Sequence, residues 1–165
     1  MLYYFDGSGF SLVPNVPYCW QKKGETLELD SSKSKSINVL GFLKRDNTFC
    51  FYYVEGSIDS VMVVAVFEDF IATLPSNKKV VIVIDNAPVH TCGYFETQKA
   101  LWKERNVEIC PLSTYSPELN IIEILWRFVK YEWLPFDAYL SLGTLKEKLT
   151  EVLMNVGKKF TISFA

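Results

Sequence analysis

Histidine occurs once in this chain, at position 90, and cysteine four times, with no two cysteines close in sequence. Cys19, Cys50, Cys92 and Cys110 therefore lack the paired spacing of a zinc site, and a single histidine cannot complete the usual Cys/His set. A reduced, cytoplasmic protein is the expectation. No apolar run is long enough to cross a bilayer, and the opening "MLYYFDGSGF" has neither the basic start nor the small-residue cleavage site of an export signal. No membrane partner is expected. Basic charge is not in excess either: 17 Lys and Arg stand against 19 Asp and Glu, for a net charge of −2. That balance excludes a large nonspecific basic surface, so any contact with nucleic acid has to be local or assisted.

What is present is apolar. With 165 residues, 49% of them hydrophobic, the chain can build one well-formed core and is too short for two ordinary domains. "LYYFD", "INVLGFLKR" and "TFCFYYVEG" read as strands separated by turn residues, and an antiparallel meander is expected of them. "SIDSVMVVAVFEDFIATLP" carries apolar residues at helical spacing, with Ser57 as N-cap and Pro75 as stop. "KVVIVI", a helix-like "GYFETQKALWKER", the short strand "VEICPL" and a long helix opening at "PELNIIEILWRFVKYEW" follow. Strands alternating with helices imply parallel pairing in this half.

Two segments carry chemistry. "VVIVI" is a continuous apolar strand, which should be covered on both faces, and it ends on Asp85, where parallel sheets place their ligands. A carboxylate there also serves simply as the cap of a turn. In "YSPELNIIEILWRFVK", Ser116 and Pro117 suit an N-cap and first turn, and Leu119, Ile122, Trp126, Val129 and Trp133 form one stripe. Glu123, Arg127 and Lys130 line its flank, a pattern that an ordinary surface salt bridge would equally explain.

Together, "IDNAPVH" and "YSPELNIIEILWRFVK" resemble the DDE transposases of the mariner-like group and their prokaryotic insertion-sequence relatives. The match runs through Asp85, Asn86, Ala87 and His90, then Ser116, Pro117, Leu119, Asn120, Glu123, Trp126 and Lys130. "YYFDGSGF" resembles the region of the first acid and gives that role to Asp6. The chain departs from the pattern at Ile121, where Pro is usual, and at Gly7, where an acid is frequent; the 38 positions from Asp85 to Glu123 are a few more than is usual.

The resemblance implies a ribonuclease-H-like α/β fold, a mixed five-stranded sheet flanked by helices, with residues 1–165 as one catalytic domain. It also implies helix-turn-helix DNA-binding segments ahead of that domain, which this chain is expected to lack. Acids at the ends of adjacent strands, roughly 4.8 Å apart, can share a hard cation, and three converging carboxylates would repel one another without one. Asp6, Asp85 and Glu123 are thus expected to hold two Mg²⁺ or Mn²⁺ ions, Asp85 bridging them, for in-line displacement at a phosphodiester. Glu118 is the reserve for the third acid. Asn86, His90 and Asn120 are candidates for orienting the acids or a phosphate, and Arg127 and Lys130 for contacting phosphate. For His90 the favoured reading is structural, satisfying backbone groups in the loop, since no acid pairs with it in the sequence. The implied activity is DNA cleavage and strand transfer at transposon ends, by a homodimer on DNA. A non-catalytic remnant that pairs with a full-length transposase, and a plain metal-dependent nuclease, are the alternatives.

Overall fold

In a computed structural model of the chain the described residues are 1–14, 22–24, 36–113 and 119–164. Among them, three strands come first: β1 (Leu2–Ser11), β2 (Ser36–Leu43) and β3 (Phe49–Val54). They pair antiparallel in sequence, as their aromatic and β-branched content predicts. β2 and β3 are joined by a turn in which Asn47 sits at φ 63°, a left-handed conformation that Asn tolerates better than most residues.

Helix α1 (Ser60–Ala72) follows. Its cap is Asp59, whose carboxylate accepts from the Met62 amide at 2.8 Å, and not the expected Ser57. Then come β4 (Val80–Ile84), the single turn α2 (Pro88–Thr91), α3 (Gly93–Glu104) and β5 (Val107–Pro111). β4 pairs parallel with both β1 and β5, giving the sheet order β3-β2-β1-β4-β5. This is the mixed five-stranded sheet of ribonuclease-H-like domains.

The last stretch departs from the expectation of one helix opening at Pro117. Helix α4 spans Ile122–Phe128 and passes into a π-helical turn over Val129–Trp133, closed by the Leu134 amide on the Val129 carbonyl at 3.1 Å. The expected cap Ser116, Pro117 and the reserve acid Glu118 lie outside the described residues, and Leu119, assigned to the buried stripe, is 52% exposed. A short 3₁₀ turn (Phe136–Leu140) leads to α5 (Leu142–Met154), capped by the Ser141 hydroxyl on the Thr144 amide at 3.1 Å.

The sheet separates two apolar layers. Tyr3, Phe5, Leu40, Phe42, Ile82 and Ile84 pack against Val63, Phe67 and Phe70 of α1 and Phe95 and Trp102 of α3. Phe10, Val39 and Leu43, on the opposite face, pack against Ile122, Leu125 and Trp126 of α4 and Leu145 and Leu149 of α5. Alternation along β1 sends Phe5 to the first layer and Phe10 to the second, and so decides which layer each polar neighbour faces.

Candidate active site

The site forms where β1 outruns its parallel partner. Pairing between them runs from Leu2–Val81 to Tyr4–Val83 and stops, while β1 continues along β2 to Ser11. Asp6 therefore stands in mid-strand, opposite Gly41 of β2, and not at the end of β1 as the sequence suggested. Continued by two residues, the β1–β4 register sets Asp6 across from Asp85, the residue at which β4 has already turned away.

Helix α4 closes this opening. The Asn120 side chain, buried just ahead of it, donates from Nδ2 to the Phe5 carbonyl at 3.1 Å and so ties the helix start to the residue before Asp6. A cleft of about 620 Å³ results, lined by Asp6, Gly7 and Ser8 of β1 and by Asn120, Glu123, Trp126, Arg127, Lys130 and Tyr131. The seating of α4 depends on Gly41. A Cβ there would stand 2.7 Å from the Phe49 ring and 3.0 Å from Trp126, so a side chain would push Trp126, and with it the helix, off the sheet.

Electrostatics within the opening are uneven. Burial pushes the Asp6 carboxyl up to about 7; the Gly7 amide opposes the rise, and the nearby charges of Asp85 and Glu123 add to it. The Asp85 carboxyl is lowered, chiefly by His90, whose Nδ1 lies 2.7 Å from Asp85 Oδ1, and further by the Ala87 amide at 3.2 Å. His90 is 6% exposed and packs edge-on against Phe5, so the imidazole is fixed between the core and the carboxylate. The pairing that the sequence did not reveal is made by the turn after β4. Asn86 donates instead to the Leu112 carbonyl and secures that turn to the end of β5. Lys130 lies 5.3 Å over the Phe10 ring, and burial lowers its ammonium, against the pull of Asp6.

Five of the expected residues, Asp6, Asn120, Glu123, Arg127 and Lys130, thus line one cleft, while Asp85, Asn86 and His90 belong to the adjoining turn. Among the described residues no three His, Cys, Asp or Glu side chains stand close enough to enclose an ion. Gly41, Ser8 and Tyr131 were not anticipated. Only Gly41 left a trace in the sequence, as a glycine inside an apolar strand, a sign of close approach by another element.

A family model described as DDE superfamily endonuclease matches residues 1–146. The chain belongs to this family. The fold of these endonucleases is shared by solved structures far apart in sequence. The Mos1 mariner paired-end complex with Mn superposes with a TM-score of 0.67 at 17% identity, over 93% of this chain and 48% of that one. The HTLV-2 integrase catalytic core domain with magnesium, in its dimeric form, superposes with a TM-score of 0.59 at 11% identity, over 98% and 89%. A simian T-cell lymphotropic virus intasome gives a TM-score of 0.65 at 12% identity, over 98% and 49%. The chain spans about half the length of the Mos1 chains in the paired-end complexes it matches. Among curated proteins none matches it. No helix of the described residues is long and apolar enough to cross a membrane.

Proposed function

We propose that this endonuclease domain cleaves DNA and joins the freed 3′-hydroxyl to a target, as the catalytic part of a transposase, with Asp6, Asp85 and Glu123 holding Mg²⁺ or Mn²⁺. The observation that supports the reading is that the Asp6 carboxyl feels the charges of both Asp85 and Glu123, with Glu123 in the wall of the same cleft. All three donors are carboxylate oxygens, the ligands that hard divalent ions prefer. The Asp6 carboxyl, pushed up to about 7 by burial beside two other acids, is in the condition that a cation would relieve. When bound, a pair of ions activates the attacking hydroxyl and stabilises the leaving oxygen.

The chain's own residues supply the rest. His90 holds one Asp85 oxygen and leaves the carboxylate a fixed orientation. Arg127 is exposed in the cleft, and neither it nor Lys130 joins a salt bridge among the described residues, so both cations can take phosphate. The Mos1 mariner paired-end complex supports a dimer on DNA as the working form.

Two measurements test this. Millimolar Mn²⁺ or Mg²⁺ raises the melting temperature, by linkage worth about 2.7 kcal/mol at a hundredfold excess over the dissociation constant, and Asp85→Asn removes most of the shift. Metal-dependent nicking of DNA falls roughly a hundredfold or more in Asp6→Asn, Asp85→Asn and Glu123→Gln. Melting indifferent to both ions, or nicking that survives all three amides, overturns the reading.

A further inference from the structure

Of the large apolar side chains exposed among the described residues, Tyr131 is the one that lines the cleft, and it is 52% exposed there. It follows Glu123 and Arg127 at four-residue steps and is carried on the π-helical turn with Lys130, so an acid, two cations and an open aromatic ring share one wall. The other aromatics of that wall are committed: Trp126 is 4% exposed and packs on Phe10 and Phe49. No ring contact engages Tyr131 among the described residues.

An unused aromatic face beside cations is the recognition chemistry of unpaired nucleotides, because every base has a π-face and only an unstacked base exposes it. Inside a duplex both faces of a base are covered by its neighbours, and taking a base out costs unstacking energy. Eight residues separate Glu123 from Tyr131, about 12 Å along the helix at 1.5 Å each, or three to four steps of a strand stacked at about 3.4 Å. A base on Tyr131 therefore lies a few nucleotides from a phosphate held at the acids, and Arg127 lies between.

We propose that Tyr131 is the stacking platform for an unpaired base at a DNA end, so that the cleft takes frayed or single-stranded ends in preference to intact duplex. The proposal rests on the endonuclease reading above for the course of the strand, and adds the class of end that the site selects. Arg127 and Lys130 supply affinity that is indifferent to pairing; Tyr131 supplies the preference.

The test uses the whole chain and two oligonucleotide duplexes with equal phosphate counts, one blunt and one ending in four unpaired thymines. Binding is followed by fluorescence anisotropy at low salt with Mn²⁺. The wild type binds the unpaired end more tightly by roughly fivefold to a hundredfold. Tyr131→Ala erases the preference, Tyr131→Phe and Tyr131→Trp keep it, and Arg127→Ala weakens both probes alike. With 5-iodouracil in the unpaired end, irradiation attaches the strand to the peptide containing Tyr131. A wild type without preference, or a Tyr131→Ala protein that retains it, overturns the proposal. Preference for the unpaired end without any nicking refutes only the endonuclease reading, and a wild type that binds neither probe refutes both.

Discussion

The two faces of the sheet are finished to different degrees. On the α1 and α3 face, Phe5, Phe42, Phe67, Phe70, Phe95 and Trp102 form a continuous set of ring contacts, with Phe42 and Phe70 stacked at 3.8 Å. Its buried polar groups are also satisfied: Trp102 Nε1 donates to Glu68, which Arg105 holds from the other side, and His90 meets Asp85. On the α4 and α5 face, three buried polar atoms have no hydrogen-bond partner among the described residues, Asn120 Oδ1, Trp126 Nε1 and Tyr139 Oη. Two of their residues, Asn120 and Trp126, line the cleft. One layer is a completed support, and the other keeps unspent hydrogen-bonding capacity beside the place where a ligand enters. The difference sets Asp85 beside the satisfied layer, through His90 and Phe5, and Glu123 beside the layer with the unsatisfied groups.

Substitutions sharpen that contrast. Phe67, fully buried between four aromatic neighbours, is the largest case: Phe67→Ala costs about 3–5 kcal/mol in chemical denaturation. Loss of less than about 1 kcal/mol there would show that the supporting layer is not close-packed.

The Asp6 carboxyl gives the next effect, through pH. Its ordinary value of 3.8 applies to the unfolded chain, and the folded value is about 7. Between these the unfolded chain has released a proton that the folded one retains, so metal-free stability is highest below the lower value and falls as pH rises through the window. Asp6→Asn removes the decline and gains a few kcal/mol at pH 8 without metal, as read from denaturant midpoints at pH 5 and pH 8. Parallel slopes for the two proteins would place Asp6 in an ordinary aqueous setting. Asp85, lowered by His90, acts in the opposite sense, and its contribution is lost only in acid as pH falls through the depressed value.

The smallest effect belongs to the unfinished face. Tyr139→Phe deletes one buried hydroxyl that has no partner among the described residues, and stability changes by less than about 1 kcal/mol or rises. A loss above about 2 kcal/mol would mean that the hydroxyl is satisfied and that the two faces are alike.

The fold was largely legible because its signals are local. "VVIVI" is apolar without alternation, which a strand covered on both faces requires, and β4 lies between β1 and β5 with both faces covered. "SVMVVAVFEDFIA" repeats its apolar residues at helical spacing and became α1. Details set by distant partners were hidden. The length of the β1–β4 ladder depends on where β4 turns, so nothing in "YYFDGSGF" could reveal that Asp6 stands in mid-strand. The expected helix start rested on the local chemistry of Ser116 and Pro117, which lie outside the described residues. Asn120, however, donates its side chain to Phe5, 115 residues away, and α4 begins only after it. His90 could not be matched to Asp85 from spacing alone, since five residues separate contacting groups only when a turn folds them back.

The π turn after α4 works like a vernier. A π turn closes on the fifth residue where an α turn closes on the fourth, so Val129–Trp133 holds one residue more than a regular helix would. Residues before the turn keep the phase that brings Glu123 and Arg127 to the cleft. The turn itself carries Lys130 and Tyr131 into the cleft and ends on Trp133, which meets both Phe128 and Phe160. Deleting one residue inside the turn would rotate Trp133 about the helix axis by about 100° relative to Glu123 and Arg127. The irregularity is thus what lets one short helix keep two appointments, one with the acids and one with the far end of the core.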